Sequence, residues 1–171
     1  MMLPNLRYIL APYVPTPEEV VHRMLELTEL TRNDVVYDLG CGDGRIVIEA
    51  AKRYGARGVG VDVEAYWIEQ ACSNADAAGV QELVRFEHAD AMSVHLANAT
   101  VVTLYLVHWS TKLITSKLVE RVQPGTRIVS HNFDVDGWAP ERTASLEDRE
   151  GKGHNIYVWV AGRESSTTSH S

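Results

Sequence analysis

The sequence predicts an α/β fold: a doubly wound, mostly parallel sheet of seven strands that ends in a C-terminal antiparallel hairpin. Three observations predict it. An apolar run over residues 35–39 leads into Gly40-Cys41-Gly42-Asp43-Gly44 and then into a segment of helical period. That is a strand, a turn almost without side chains, and a helix. From there to residue 131, short β-branched runs alternate with helical ones, the pattern of parallel strands joined by crossover helices. The last two strand-like runs, 142–147 and 154–161, are connected through Gly151-Lys152-Gly153 with no helix between them. They form a hairpin, which is expected to leave an antiparallel strand at the sheet edge.

The elements follow in order. Pro12-Tyr13-Val14-Pro15-Thr16-Pro17 cannot be helical, because proline and the residue before it both disfavour the helix. Thr16 is expected to cap a helix that has Pro17 at its first position and Glu19 at the capping-box position. Val20, Val21, Met24, Leu25 and Leu27 supply its apolar stripe, and the whole of 1–33 is expected to lie over the ligand site. Residues 35–39 read as the first strand and 45–54 as a helix. A strand at 58–62 precedes a helix at 66–78, which Gly79 ends as a C′ glycine. Residues 83–87 make a third strand. The run 100–107 is apolar on both faces, as a central parallel strand requires. A helix over 112–122 is stopped by Pro124-Gly125, and 126–131 is the fifth strand. One domain is expected over 1–162, with a disordered Ser/Thr-rich tail at 163–171.

At 171 residues, 45% apolar and 23% charged, the chain has ordinary globular composition for one domain with a sizeable core. The net charge of −7 argues against a sequence-independent grip on nucleic acid and suits a basic partner. No apolar stretch is long enough to span a membrane, and the start lacks the pattern of a secretory signal. Two cysteines, Cys41 in the glycine turn and Cys72 on a helix, read as reduced thiols in a cytoplasmic protein.

In a doubly wound sheet the ligand lies beyond the carboxyl ends of the strands, where the strand order reverses. The turn there spaces its glycines G-x-G-x-G, unlike the G-x-G-x-x-G of a pyrophosphate site, and Asp38 would repel a pyrophosphate. A ligand with an ammonium beside a carboxylate fits better: Asp38 holds the ammonium and the turn's N–H groups face the carboxylate. S-adenosyl-L-methionine (SAM) has that head, so Asp38, Gly40, Cys41, Gly42, Asp43 and Gly44 are assigned to it. Asp62 follows Asp38 by about twenty residues, the distance of a ribose-binding acid. Glu64 competes for that role, and Asp62 can instead cap the following helix. Asp90 closes the third strand and either accepts from an adenine amino group or caps the stretch after it. Asp43 can also cap the helix that begins near Gly44.

Leu106, at the end of the fourth strand, is placed beside the cofactor. His108 and Trp109 follow it, where the acceptor should approach: the histidine can take a proton and the ring can hold a cation. Their alternative roles are a backbone hydrogen bond and a cover for the sheet end. His131 either supports the site or simply terminates a strand. Tyr13 and Thr16 lie on the segment that crosses the glycine turn, as cofactor contacts, with Tyr13 also a candidate at the acceptor. His22, His88, His95, His154 and His170 show no ligand-like spacing, so no metal is expected.

Together these residues resemble a class I SAM-dependent methyltransferase, whose glycine motif matches Asp38-Leu39-Gly40-Cys41-Gly42-Asp43-Gly44. A closer likeness covers most of the chain. Pro12-Tyr13-Val14-Pro15-Thr16-Pro17, the run from Val36 to Ile46, Pro124-Gly125-Thr126-Arg127, Val129-Ser130-His131, and Gly137-Trp138 before Pro140 recur in one small family. That family is the small protein lysine methyltransferases: the crenarchaeal broad-specificity enzyme and the mitochondrial enzymes acting on the adenine nucleotide translocase and the ATP synthase c-subunit. The resemblance implies a Rossmann-like sheet, SAM as donor with S-adenosyl-L-homocysteine as product, and protein lysines as acceptors. Leu106-Val107-His108-Trp109 departs from the apolar and small polar residues expected there. The N/D-P-P-Y/F motif of amide and adenine N-methyltransferases is absent. The chain has no inserted lid domain, which suits a protruding lysine. Methylation of a small-molecule thiol, amine or hydroxyl is the alternative, and a SAM-binding regulator without turnover is a third.

Overall fold

A computed structural model describes residues 14–105 and 117–163. Its elements in chain order are α1 (Glu18–Leu27), β1 (Val35–Leu39), α2 (Arg45–Tyr54), β2 (Arg57–Asp62), α3 (Ala65–Ala78), β3 (Val84–His88), β4 (Val101–Leu104), β5 (Arg127–His131), β6 (Arg142–Glu147) and β7 (Gly153–Val160). The seven strands form one sheet in the order β3-β2-β1-β4-β5-β7-β6. The chain leaves β1 toward β2 and β3, then returns to place β4 on β1's other side, so the strand order reverses between β1 and β4.

The first five strands pair in parallel, and β7 runs antiparallel to both β5 and β6. The expected hairpin is present, but its reversed strand is interior and β6 is the edge. Burial explains the swap. Ile156, Val158 and Trp159 of β7 are fully or almost fully buried, whereas β6 has no buried residue. The apolar strand takes the covered position and the polar one takes the edge.

The sheet buries a core on each face. Val36, Val101, Val129, Ile156 and Val158 pack on one face under Val20, Met24, Ile46 and Val47 of α1 and α2. Tyr37, Leu39, Val61, Val102, Leu104, Ile128 and Trp159 fill the other. The strand expected over 100–107 is regular only through Leu104, and residues 106–116, with the first part of the helix expected over 112–122, lie outside the described residues. Gly79 ends α3 with φ 71°, as its position suggested. Arg163, expected in the disordered tail, is ion-paired to Glu141 at 3.0 Å; the rest of that tail lies outside the described residues.

The entry to α1 differs from the expected capping box. Pro17, not Thr16, occupies the N-cap, with ψ 148°, and its carbonyl accepts from Val20 and Val21 at 3.0 Å each. Proline holds its predecessor extended, which carries the Thr16 hydroxyl away from the helix end. That hydroxyl turns inward to His131, and Glu19 accepts the backbone N–H of Arg149 at 2.8 Å.

Candidate active site

The glycine turn sits at the carboxyl end of β1, beside the point of strand reversal. Gly40, Gly42 and Gly44 have φ of 83°, 52° and 81°, the left-handed region that glycine enters without strain. Gly44 is also a packing position: a Cβ there would stand 2.8 Å from the Phe86 ring of β3. Four of the turn's N–H groups are committed. Gly40 and Cys41 donate to Val61 O, Gly44 donates to Cys41 O, and Gly42 donates to Asp62 Oδ2 at 2.9 Å. These four amides, expected to face a ligand carboxylate, are bonded within the protein in this structure. They fix the shape of the cradle, and the side chains around it supply its chemistry.

Asp38 is the centre of that chemistry. Its carboxyl group is buried on the α2 side of β1, with Oδ1 accepting from the Thr103 hydroxyl of β4 at 2.7 Å. Burial pushes its pKa up to about 7; the Thr103 bond offsets this in part, and the negative Asp62 and Asp43 raise it further. Asp38 is thus a buried acid whose charged neighbours share its sign. A cation placed beside it would relieve the cost of that buried charge. Burial and the same carboxylates push the Cys41 thiol up as well, so it is no nucleophile.

The other acids are placed as follows. Asp62, at the end of β2, accepts from Gly42 N through Oδ2 and from Glu64 N through Oδ1 at 3.0 Å. It therefore braces the turn and the entry to α3. Asp43 accepts from Arg45 N at 3.2 Å and pairs with the Arg45 guanidinium at 2.7 Å. Arg45 also donates to Thr16 O at 3.0 Å, tying the segment before α1 to the turn. Asp90 accepts from Met92 N at 2.9 Å, at the start of the turn that follows β3. Tyr13, Leu106, His108 and Trp109 lie outside the described residues, while Thr16 is 4% exposed at the site.

Sequence reasoning missed three partners. Thr103 was hidden in an apolar strand. His154 and Asp148 lack any spacing signal, yet His154 lies 2.8 Å from both His131 and Asp148. His131 itself is buried at the end of β5, with the Tyr105 ring stacked on it at a centroid distance of 4.3 Å.

Residues 38–142 match the ANTKMT methyltransferase domain. The chain belongs to that family. This methyltransferase is 41% identical over 152 residues to a protein-lysine N-methyltransferase of Saccharolobus islandicus, covering 88% of this chain and 94% of the relative. It is 30% identical to the Xenopus laevis lysine N-methyltransferase of the ATP synthase c-subunit, over 81% of this chain and 60% of that longer protein. Among solved structures it resembles one described as an RNA methyltransferase of Salinibacter ruber in complex with S-adenosyl-L-homocysteine. The TM-score is 0.82 and the identity 46%, over 90% of this chain and 97% of that one. SAM is accordingly the methyl donor, and the Rossmann-like sheet is the fold that both lines of comparison share.

Proposed function

We propose that this methyltransferase acts on the ε-amino group of lysines in protein substrates. The observation that carries the reading is the 41% identity to a protein-lysine N-methyltransferase across 94% of that relative's length. The site's charge supports it: Asp43, Asp62, Glu64 and Asp90, none of them buried, gather near the carboxyl ends of β1 to β3. An acidic rim attracts a lysine ammonium and repels a phosphate backbone. Two free cysteines agree with a reducing compartment, the cytoplasm.

When bound, SAM supplies a sulfonium methyl for in-line transfer to a nucleophile. The protein's part is position and charge. Asp38 holds the donor's ammonium, Asp62 or Glu64 its ribose hydroxyls, and Asp90 its adenine amino group. Thr16 is the described contact from the segment before α1, its carbonyl held by Arg45, and we assign Tyr13, Leu106, His108 and Trp109 to the cofactor and acceptor on sequence grounds alone. A lysine must arrive neutral. At pH 7, with a pKa of about 10.4, that costs roughly 4–5 kcal/mol.

Incubating the protein with methyl-labelled SAM and a cell lysate tests the reading. Label in protease-sensitive, nuclease-resistant bands is the expected result. Label confined to the small-molecule fraction contradicts it. A second reading, RNA methylation, is favoured by the description of the Salinibacter ruber structure at 46% identity; nuclease-sensitive label is its signature.

A further inference from the structure

Behind the site, four side chains from four separate segments form one buried chain of hydrogen bonds. Asp148 Oδ2 lies 2.8 Å from His154 Nε2, His154 Nδ1 lies 2.8 Å from His131 Nε2, and His131 Nδ1 lies 3.4 Å from Thr16 Oγ1. Thr16, His131 and His154 are at most 4% exposed. Each link of the chain is a hydrogen bond between side chains. The direction of these bonds follows from the acceptor at one end. An ionised carboxylate only accepts, so His154 donates from Nε2, and in the neutral imidazole, the form in which the chain runs in one direction, its lone pair is on Nδ1. His131 must then donate from Nε2, which leaves its Nδ1 lone pair to accept from the Thr16 hydroxyl.

The far end of the chain reaches the active site twice. Asp38 pairs with Thr103 across β1 and β4, and Thr103 pairs with Val129 of β5. Two residues on from these, on the same sheet face, Tyr105 stacks on His131. Thr16 is the second contact, and its carbonyl is held by Arg45, the partner of Asp43 in the donor turn.

We propose that Asp148, His154 and His131 are positioning residues for methyl transfer. They fix the tautomer and ring plane of His131, which seats Tyr105 and the Thr16 hydroxyl on the acceptor side of the donor pocket. The role presupposes methyl transfer beyond the ends of β1 and β4, as in the function proposed above. The Thr16 contact is the longest in the chain and the first to yield if the proton order changes. The donor side is held independently through Arg45.

Asp148→Asn tests this, because Asp148 Oδ1 also accepts from the N–H groups of Glu150 and Lys152 at 2.9 Å. The asparagine oxygen keeps those bonds, so its NH2 faces His154 and the whole chain reverses. His131 then points an Nδ1–H at Thr16. The expected result is a fivefold or greater loss of kcat/KM for the protein acceptor, with the SAM Kd within twofold of wild type. Nitrogen NMR is expected to show His131 as the Nε2–H tautomer in wild type and the Nδ1–H tautomer in the variant. A smaller loss of turnover, an equal loss of SAM affinity, or an Nδ1–H tautomer in wild type overturns the proposal. If Asp148→Asn does not fold, Thr16→Val is expected to show the same acceptor-side loss and Thr16→Ser to restore it. Equal turnover of the two Thr16 variants overturns it as well. An inactive wild type that still binds SAM counts against the proposed function, while the tautomer measurement still tests the relay.

Discussion

Asp38 and His131 are buried titratable groups whose shifts pull stability in opposite directions. The Asp38 pKa is raised from 3.8 to about 7, so the native state binds more protons than the unfolded one between those values. Its contribution is full below about pH 4 and is lost as pH rises through 7. His131 is lowered from 6.5 to about 4, chiefly by burial and then by His154 and Lys152. The unfolded state binds more protons there, so this contribution is full above 6.5 and is lost as pH falls toward 4, a change of about 3 kcal/mol. The two mask each other in wild type. In Asp38→Asn the His131 slope is expected to emerge, with urea unfolding showing stability that rises with pH from 4 to 6.5 more steeply than in wild type. An unchanged slope contradicts the burial argument for Asp38.

The same residue ties donor binding to pH. An ammonium placed beside Asp38 lowers its pKa, so SAM binding below about pH 7 expels a proton. Calorimetry in two buffers of different ionisation enthalpy is expected to detect that release. The SAM Kd should weaken by about tenfold per pH unit below 7. Asp38→Ala is expected to abolish binding.

At the scale of elements, the donor turn depends on how closely β2, β3 and α2 pack around Phe86. A Cβ on Gly60 of β2 would lie 2.6 Å from the Phe86 ring and 2.9 Å from Cys41 Cβ. Gly60→Ala is therefore expected to cost about 1–3 kcal/mol by chemical denaturation, the usual penalty of overpacking. Phe86→Leu in the same chain should return part of it. These elements were legible because their signals are local: glycine spacing, a C′ glycine and β-branched runs set the boundaries of β1 to α3 within a residue or so. The end of the sheet was less legible. Which strand of the hairpin joins β5 depends on comparing Ile156, Val158 and Trp159 with the polar face of β6, a tertiary question that hairpin spacing does not answer. The α1 cap misled for a similar reason, since the partner of Thr16 is His131, 115 residues away.

For the whole molecule, we place the donor at the carboxyl ends of β1, β2 and β4. The positions of Asp38, the glycine turn and the acids at the strand ends were legible in the sequence, because each lies within one strand–turn–helix unit. The relay behind the acceptor side could not, since His131, His154, Asp148 and Thr16 meet only through long-range pairing. With lysine as acceptor, turnover is expected to rise from pH 7 to 9 as the neutral amine becomes more abundant. A flat profile would instead require a group on the protein to take the proton. The most direct test is amino-acid analysis of proteins labelled by the purified enzyme and methyl-labelled SAM. The expected result is label recovered in ε-N-methylated lysine after acid hydrolysis. Label recovered in methylated nucleosides, or in no amino acid at all, would contradict a protein-lysine acceptor.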